Sequence, residues 1–277
     1  SLSFGGYWAW DPVENASLVP WMILIAGLHC MAIYKATGNS LRASYFFIIL
    51  AYGFILYSTF LTRTGILGDT SVHSFTEAGM AMNILIGLYV IALPLPVIIL
   101  FILNYKKIPA IQKEENISSR EFWMFIGSLI FFLAAMFIIA ITSVPVYNKI
   151  FGSSIADPQD REFTYNKVMV MVAIIIGLLT AVSQYFKYKQ TVKKYLTTKL
   201  LFPFLISVAI IILIAFVYPI TFIKHGAGFL GAIYLALFAT IFSVVANASY
   251  LWSVLKGNLK AGGGAIAHVG FTLMVAG

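Results

Sequence analysis

Cysteine is nearly missing from this sequence: Cys30 is the one thiol in 277 residues. Without a second thiol the chain has no disulfide framework, no Cys-x-x-Cys redox centre and no thioether-held cofactor of its own. Charge is scarce as well. Lys, Arg, Asp and Glu make up 10% of the chain against 61% hydrophobic residues, whereas soluble domains carry about 25% charged residues. That balance excludes a soluble enzyme. The ten Asp and Glu residues all fall in loops or at the edges of apolar runs. No carboxylate pair lies inside a span to relay protons, which disfavours a carboxylate-driven transporter. No repeat period, heptad or low-complexity tract stands out. Ala261-Gly262-Gly263-Gly264 lacks the Lys-Ser/Thr ending and the preceding strand of a phosphate-cradling loop, and reads as a flexible turn.

What the chain has instead is long apolar runs. They fall at roughly 17–34, 43–61, 80–104, 122–146, 168–186, 201–220, 229–255 and from 264 onward, each close to the ~20 residues needed to cross a bilayer except the last. The fold class is therefore all-α: a polytopic transmembrane helix bundle with seven complete spans and the start of an eighth, its partner being the lipid membrane. The net charge of +8 speaks for topology and not for nucleic acid, which is excluded as a partner. Loops after the odd-numbered spans hold Lys35, Arg42, Lys106, Lys107, Lys113, Arg120, Lys187, Lys189, Lys193, Lys194, Lys199, Lys256 and Lys260. The opposite loops hold only Arg63, Lys149, Arg161, Lys167 and Lys224, five of the 18 basic residues. Basic residues accumulate in cytoplasmic loops, so residues 1–16 and the loops at 62–79, 147–167 and 221–228 are expected outside, in the periplasm of a bacterium. The chain opens at Ser1 and stops inside an apolar run too short to span, so we expect an internal fragment of a longer protein.

Four histidines and one aromatic stretch carry the chemistry. His29 falls in the first span and His268 in the eighth, where an ionisable side chain is a functional hypothesis by default. Counted from Lys35 and Lys260, they lie about 9 Å and 12 Å from the same membrane edge at ~1.5 Å per residue. Two imidazoles at one depth on different helices suit the axial positions of a b-type haem better than zinc, which wants three or four ligands. The alternative is that each simply hydrogen-bonds a neighbouring helix. His73 lies in an external loop, where a solvated side chain is the common case. Arg63, at the outer interface, could grip a propionate or contact lipid headgroups. His225 has no partner at helical spacing and receives no role.

The segment Phe4-Gly5-Gly6-Tyr7-Trp8-Ala9-Trp10-Asp11-Pro12-Val13-Glu14-Asn15 falls at the outer interface, where aromatic belts are ordinary. Gly5 and Gly6 would admit a planar ligand close to the backbone, and Tyr7, Trp8 and Trp10 could form an apolar floor for a porphyrin face. Asp11, Pro12 and Glu14 read as N-cap, N1 and N3 of the first span.

The run Gly5-Gly6-Tyr7-Trp8-Ala9-Trp10-Asp11-Pro12-Val13-Glu14-Asn15-Ala16-Ser17, followed by Pro20-Trp21, resembles the WWD signature of haem-handling proteins in the form of the CcmF family, haem lyase components of cytochrome c maturation. Leu28-His29, Phe60-Leu61-Thr62-Arg63-Thr64-Gly65, Ser71-Val72-His73-Ser74-Phe75 and Ala267-His268-Val269-Gly270-Phe271 follow in the same order. The stretch at roughly 105–260 matches mainly in hydropathy. Tyr7 stands where a Trp is commoner, and the family's large periplasmic segment before its last helix would lie beyond Gly277.

The resemblance implies one WWD-type haem-handling transmembrane domain over 1–277, in a multi-pass protein of the bacterial inner membrane with its WWD segment and His73 on the periplasmic side. It implies that His29 and His268 ligate an internal haem b, and that His73 is one of two external ligands of a substrate haem, its partner lying upstream of this sequence. The implied activity is that of a haem lyase (holocytochrome c synthase) component attaching haem to Cys-x-x-Cys-His of apocytochrome c. Implied partners are apocytochrome c, a haem chaperone and thiol-reducing accessory proteins, with quinol a candidate electron source. Two other classes share part of the pattern: a haem transporter or exporter would keep the aromatic shelf, and a dihaem quinol oxidoreductase would keep the buried histidine pair without needing the shelf.

Overall fold

A computed structural model describes residues 8–68, 70, 71, 73, 79–111, 116–222 and 224–277. Helix makes up 78% of the structure, and no strand occurs among the described residues. Hydrocarbon offers backbone N–H and C=O groups no partner, so a lipid-facing chain of this composition satisfies them within helices. Among the described residues ten α-helices follow in order: α1 (Pro12–Thr37), α2 (Leu41–Arg63), α3 (Met80–Ala92), α4 (Pro94–Asn104), α5 (Arg120–Thr142), α6 (Val144–Phe151), α7 (Arg161–Ser183), α8 (Lys193–Val217), α9 (Gly226–Ser253) and α10 (Gly263–Ala276). Among the described residues seven helical segments are long and apolar enough to cross a membrane, and α10 is a shorter apolar helix of 14 residues.

Two features differ from the hydropathy reading. The third span, Met80–Lys107, is jointed: α3 and α4 meet at Leu93, because Pro94 and Pro96 lack N–H donors and crowd the preceding turn. The fourth apolar run likewise stops at Thr142, and α6 resumes with Pro145 in its first turn. Several helices also begin earlier than their apolar runs. α7 starts at Arg161, seven residues before the hydrophobic stretch, because the hydrogen-bond ladder continues through interfacial polar residues that hydropathy does not score.

The chain forms two compact units, Ser1–Gln112 with Ser128–Tyr165, and Lys113–Gly127 with Asn166–Gly277. In the first, α1 packs against α2. Gly27 makes that approach possible, since a Cβ there would meet Phe47 Cβ at 3.3 Å. Val19, Ile23, Ala26 and Ile33 are fully buried, as are Ala135 and Ile138 of α5. Ser128 Oγ donates to Ala26 O at 3.2 Å, a polar tie of the kind that joins helices where hydrophobic driving force between them is weak. In the second unit, α9 packs on α8 and α10 around Ala181, Tyr185, Phe242 and Ala246. A Cβ on Gly177 would lie 2.9–3.1 Å from Ala239, including its backbone C and O, so only glycine admits this close contact. Asn247 Nδ2 donates to Thr180 O at 3.0 Å, and Thr180 and Ser243 share a hydroxyl hydrogen bond at 2.8 Å. The buried Tyr185 hydroxyl donates to Ala246 O at 2.8 Å.

Candidate functional site

The N-terminus of α1 builds the first part of the site. Asp11 is the N-cap, with its Oδ1 accepting from Val13 N at 2.8 Å, and Pro12 occupies N1, where no donor is needed. Glu14 completes a capping box and its Oε2 accepts from the amides of Asp11 at 3.3 Å and Ala9 at 3.2 Å. These local bonds satisfy orphan amides and fix how residues 9–11 enter the helix.

Asp11 does more than cap. The loop after α2 turns through Gly65, at φ 68, and is pinned by Leu67, which is fully buried. Thr70 and Ser71 amides both donate to Leu67 O, at 3.0 Å and 2.9 Å. The loop thereby returns Ser71 to α1, where its hydroxyl donates to Asp11 Oδ1 at 2.6 Å, and Ser71 Oγ in turn accepts from His73 N at 3.1 Å. His73 Nδ1 lies 3.4 Å from the same Asp11 oxygen; its side chain is 28% exposed and that of Asp11 is 8% exposed. A carboxylate beside Nδ1 favours the tautomer with the proton there and leaves Nε2 as the lone-pair donor, the arrangement seen behind many metal-ligating histidines. Arg161, at the start of α7, fastens the loop from the other side by donating to Thr70 O at 2.8 Å while pairing with Asp157 at 3.0 Å.

The two described tryptophans of the aromatic stretch have different surroundings. Trp10 is 8% exposed and lies flat against Tyr165, ring centroids 5.0 Å apart and planes at 13°. Trp8 is 37% exposed and meets Trp10 edge-on at 5.8 Å. Trp10 adopts φ 55, a left-handed conformation that disfavours a bulky side chain and is held only when the surroundings over-determine it. Here Asn15 Nδ2 donates to Trp10 O at 3.2 Å and to Thr142 Oγ1 at 3.3 Å, and Thr142 shares a hydrogen bond with Tyr165 OH at 3.1 Å. Trp8 is the open face and Trp10 the supported layer beneath it. Gly5, Gly6 and Tyr7 lie outside the described residues. Arg63 closes α2 and is exposed.

His29 and His268 are each half-buried. His29 Nδ1 is 2.8 Å from Ile25 O one turn earlier in α1; a carbonyl can only accept, so Nδ1 carries the proton and Nε2 keeps its lone pair. His268 Nδ1 is 3.1 Å from Gln184 Nε2. Each imidazole thus has its Nδ1 engaged, that of His29 donating to a backbone carbonyl and that of His268 accepting from the Gln184 carboxamide. His225 sits at the N-cap position of α9 between Phe222 and Phe229. Among the described residues, no group of three or more His, Cys, Asp and Glu is placed to hold a metal ion.

Comparison with known proteins meets this geometry at the same residues. The family described as Cytochrome C assembly protein matches residues 1–68, which include the aromatic stretch, the α1 cap, His29 and Arg63. The cytochrome c-type biogenesis protein CcmF of Pseudomonas fluorescens is 29% identical over 225 residues, 78% of this chain and 32% of the relative. That of Haemophilus influenzae is 31% identical over 185 residues, 64% of this chain and 27% of the relative. The chain is CcmF-like. A solved structure, Cytochrome c Heme Lyase CcmF, superposes with a TM-score of 0.62 at 21% identity and covers 99% of this chain and 40% of its own, so the likeness of fold runs the length of the CcmF-like chain. The chain spans about a third of the length of these curated relatives. Seven apolar helices together with such relatives fit a multi-pass inner-membrane protein.

Reading the sequence alone missed the site roles of Thr142, Arg161, Tyr165 and Gln184. Each is an isolated polar residue or aromatic far from the motif it supports. Asn15 and Ser71 stood inside quoted motifs, and their one visible signal was a polar side chain beside an apolar helix start.

Proposed function

We propose that this chain is the haem-holding part of a cytochrome c haem lyase component. The carrying observation is Asp11, which joins the α1 cap, Ser71 and His73 and so fixes one histidine beside the tryptophan shelf. Trp8 over Trp10 offers an apolar face to a substrate porphyrin at the membrane surface, and His73 Nε2 offers one axial ligand. Arg63, exposed at the end of α2, would take a propionate. An apocytochrome histidine replaces an axial ligand and sets its two thiols against the vinyl groups. Each S–H then adds across a vinyl, sulfur to one carbon and hydrogen to the other, with no net oxidation. Proximity supplies most of the acceleration. A haem b held by His29 and His268 would supply electrons that keep the substrate iron ferrous, with quinol as a candidate source. A haem chaperone and thiol-reducing proteins would deliver haem and reduced apocytochrome.

Removing the full-length protein from its host should eliminate haem-stained c-type cytochromes, and the wild-type gene should restore them. Asp11→Asn keeps a good N-cap but weakens the acceptor behind His73, so maturation should fall about tenfold, in the range for a lost outer-sphere partner of a metal ligand. Asp11→Ala loses both functions and should fall further. Wild-type maturation from Asp11→Ala at equal protein level would remove the basis of the proposal.

The mechanism needs the shelf outside. An impermeant thiol reagent applied to right-side-out cells should label Ser154→Cys, in the loop before α7, and leave Lys193→Cys at the start of α8 unlabelled. Cys30 is fully buried and should give little background. Labelling of Lys193→Cys from outside would invert the orientation and put the site on the wrong face for cytochrome c.

A further inference from the structure

We infer that Gln184 is the positioning residue of His268, fixing its ring and tuning its donor strength; this rests on His268 being a haem ligand. Gln184 follows the last turn of α7 and its carboxamide Nε2 lies 3.1 Å from His268 Nδ1. Gly264, one turn before His268 on α10, makes room for it: a Cβ there would meet Gln184 Nε2 at 3.0 Å. The backbone that carries Gln184 is clamped independently of its side chain. The Arg120 guanidinium donates to Gln184 O and, at 2.8 Å, to Phe186 O, while Arg120 N donates to Lys187 O at 3.0 Å. Next to it, Glu121 Oε1 accepts from Lys189 N at 2.8 Å. Two neighbouring residues of α5 therefore hold the segment after α7 by its carbonyls and one amide. With its backbone fixed, rotation of the Gln184 carboxamide selects which of its atoms faces His268.

A carboxamide is the group that serves both states of a ligand histidine. With Nδ1 unprotonated, its NH2 donates to the ring; with iron on Nε2 and the proton on Nδ1, a half-turn of the amide presents Oε1 as acceptor. His29 has a backbone carbonyl at its Nδ1, so the two imidazoles are inequivalent, and at His268 the Nδ1 partner is one that a side-chain substitution can change. A carboxylate at position 184 would accept more strongly from Nδ1–H, push electron density onto the ring and favour ferric over ferrous iron.

The test uses the full-length protein in detergent or nanodiscs, reading haem affinity and the midpoint potential of the b-type haem. Gln184→Leu should lower haem affinity about tenfold. Gln184→Glu should retain haem and lower the potential by about 59 mV, a tenfold shift in the ferric-to-ferrous ratio for one electron. Gly264→Ala leaves Gln184 in the sequence but displaces its amide, and should reproduce a smaller affinity loss without the Glu-type potential shift. If His268→Ala removes the haem while Gln184→Leu, Gln184→Glu and Gly264→Ala all keep wild-type affinity and potential, the inference is wrong and the ligand assignment stands. Equal losses in the Leu and Glu variants with no separate potential shift would reduce Gln184 to a packing role and also overturn it. Haem retained by His268→Ala would instead strike down the ligand assignment itself.

Discussion

Alanine at either His29 or His268 is expected to abolish the b-type haem spectrum of the full-length protein while leaving it in the membrane at normal level. Each ring is half-buried on an apolar helix, so the substitution removes a polar group from a poorly hydrated place and gives up its contact with Ile25 O or the Gln184 amide. Helix stability is little affected, because alanine is the best helix former. Haem affinity should drop by more than the roughly 10–100-fold that follows loss of an outer-sphere partner of a metal ligand. Glycine at the same positions opens space for a free imidazole, and adding imidazole should partly restore the sharp reduced α-band. His225→Ala, between Phe222 and Phe229 at the α9 cap, should do nothing to the spectrum. Wild-type haem content in both single alanine variants would show that the internal haem is held by other residues or is not there.

Lipid explains which parts of this structure are legible in the sequence. A span must be apolar along its whole length, so the seven membrane-long helices are visible from hydropathy alone, and the capping arrangement of Asp11, Pro12 and Glu14 follows from spacing within one turn. Helix ends are less visible, because Arg161 and Glu162 extend α7 through an interface that tolerates charge. The supports of the site are least visible. Ser71 meets Asp11 across sixty residues, Thr142 meets Asn15 across 127, and Gln184 meets His268 across 84. None of these encounters leaves a local pattern, since each depends on how separate helices and loops pack. Tyr165 and Gln184 also fall in the stretch whose resemblance to relatives is mainly hydropathy, where a single polar or aromatic residue carries no motif. The aromatic stretch reads in sequence as one surface, yet Trp10 is buried against Tyr165 and Trp8 is open. The difference comes from the left-handed Trp10 backbone, which spacing does not encode.

That layering makes the shelf the second place where a large effect is expected. Trp8→Ala with Trp10→Ala should stop cytochrome c maturation and reduce bound substrate haem, yet leave the haem of His29 and His268 intact. An indole covers roughly 150–250 Å², so losing Trp8 removes a few kcal/mol of apolar contact at about 25 cal/mol per Å², and losing Trp10 takes away the layer that supports it. The single variants separate the layers. Trp8→Ala removes the open face and should weaken substrate haem directly, whereas Trp8→Phe should keep part of it. Tyr165→Ala never touches the porphyrin in this arrangement, but it removes the platform that holds Trp10 in its strained backbone, so it should reproduce much of the Trp10→Ala defect. Tyr165→Phe keeps the stack and loses the hydroxyl with its 3.1 Å hydrogen bond to Thr142, an effect of about 1 kcal/mol, and should stay largely active. An interfacial aromatic belt behaves differently: Phe would replace either Trp almost fully, Tyr165 would be irrelevant, and both haems would fall together with protein level. Maturation and the two haem contents, measured at equal protein amounts, therefore decide the matter. An active double-alanine variant, or a parallel fall in both haems, would leave Trp8 and Trp10 as membrane anchors and take the substrate haem away from this face of the protein.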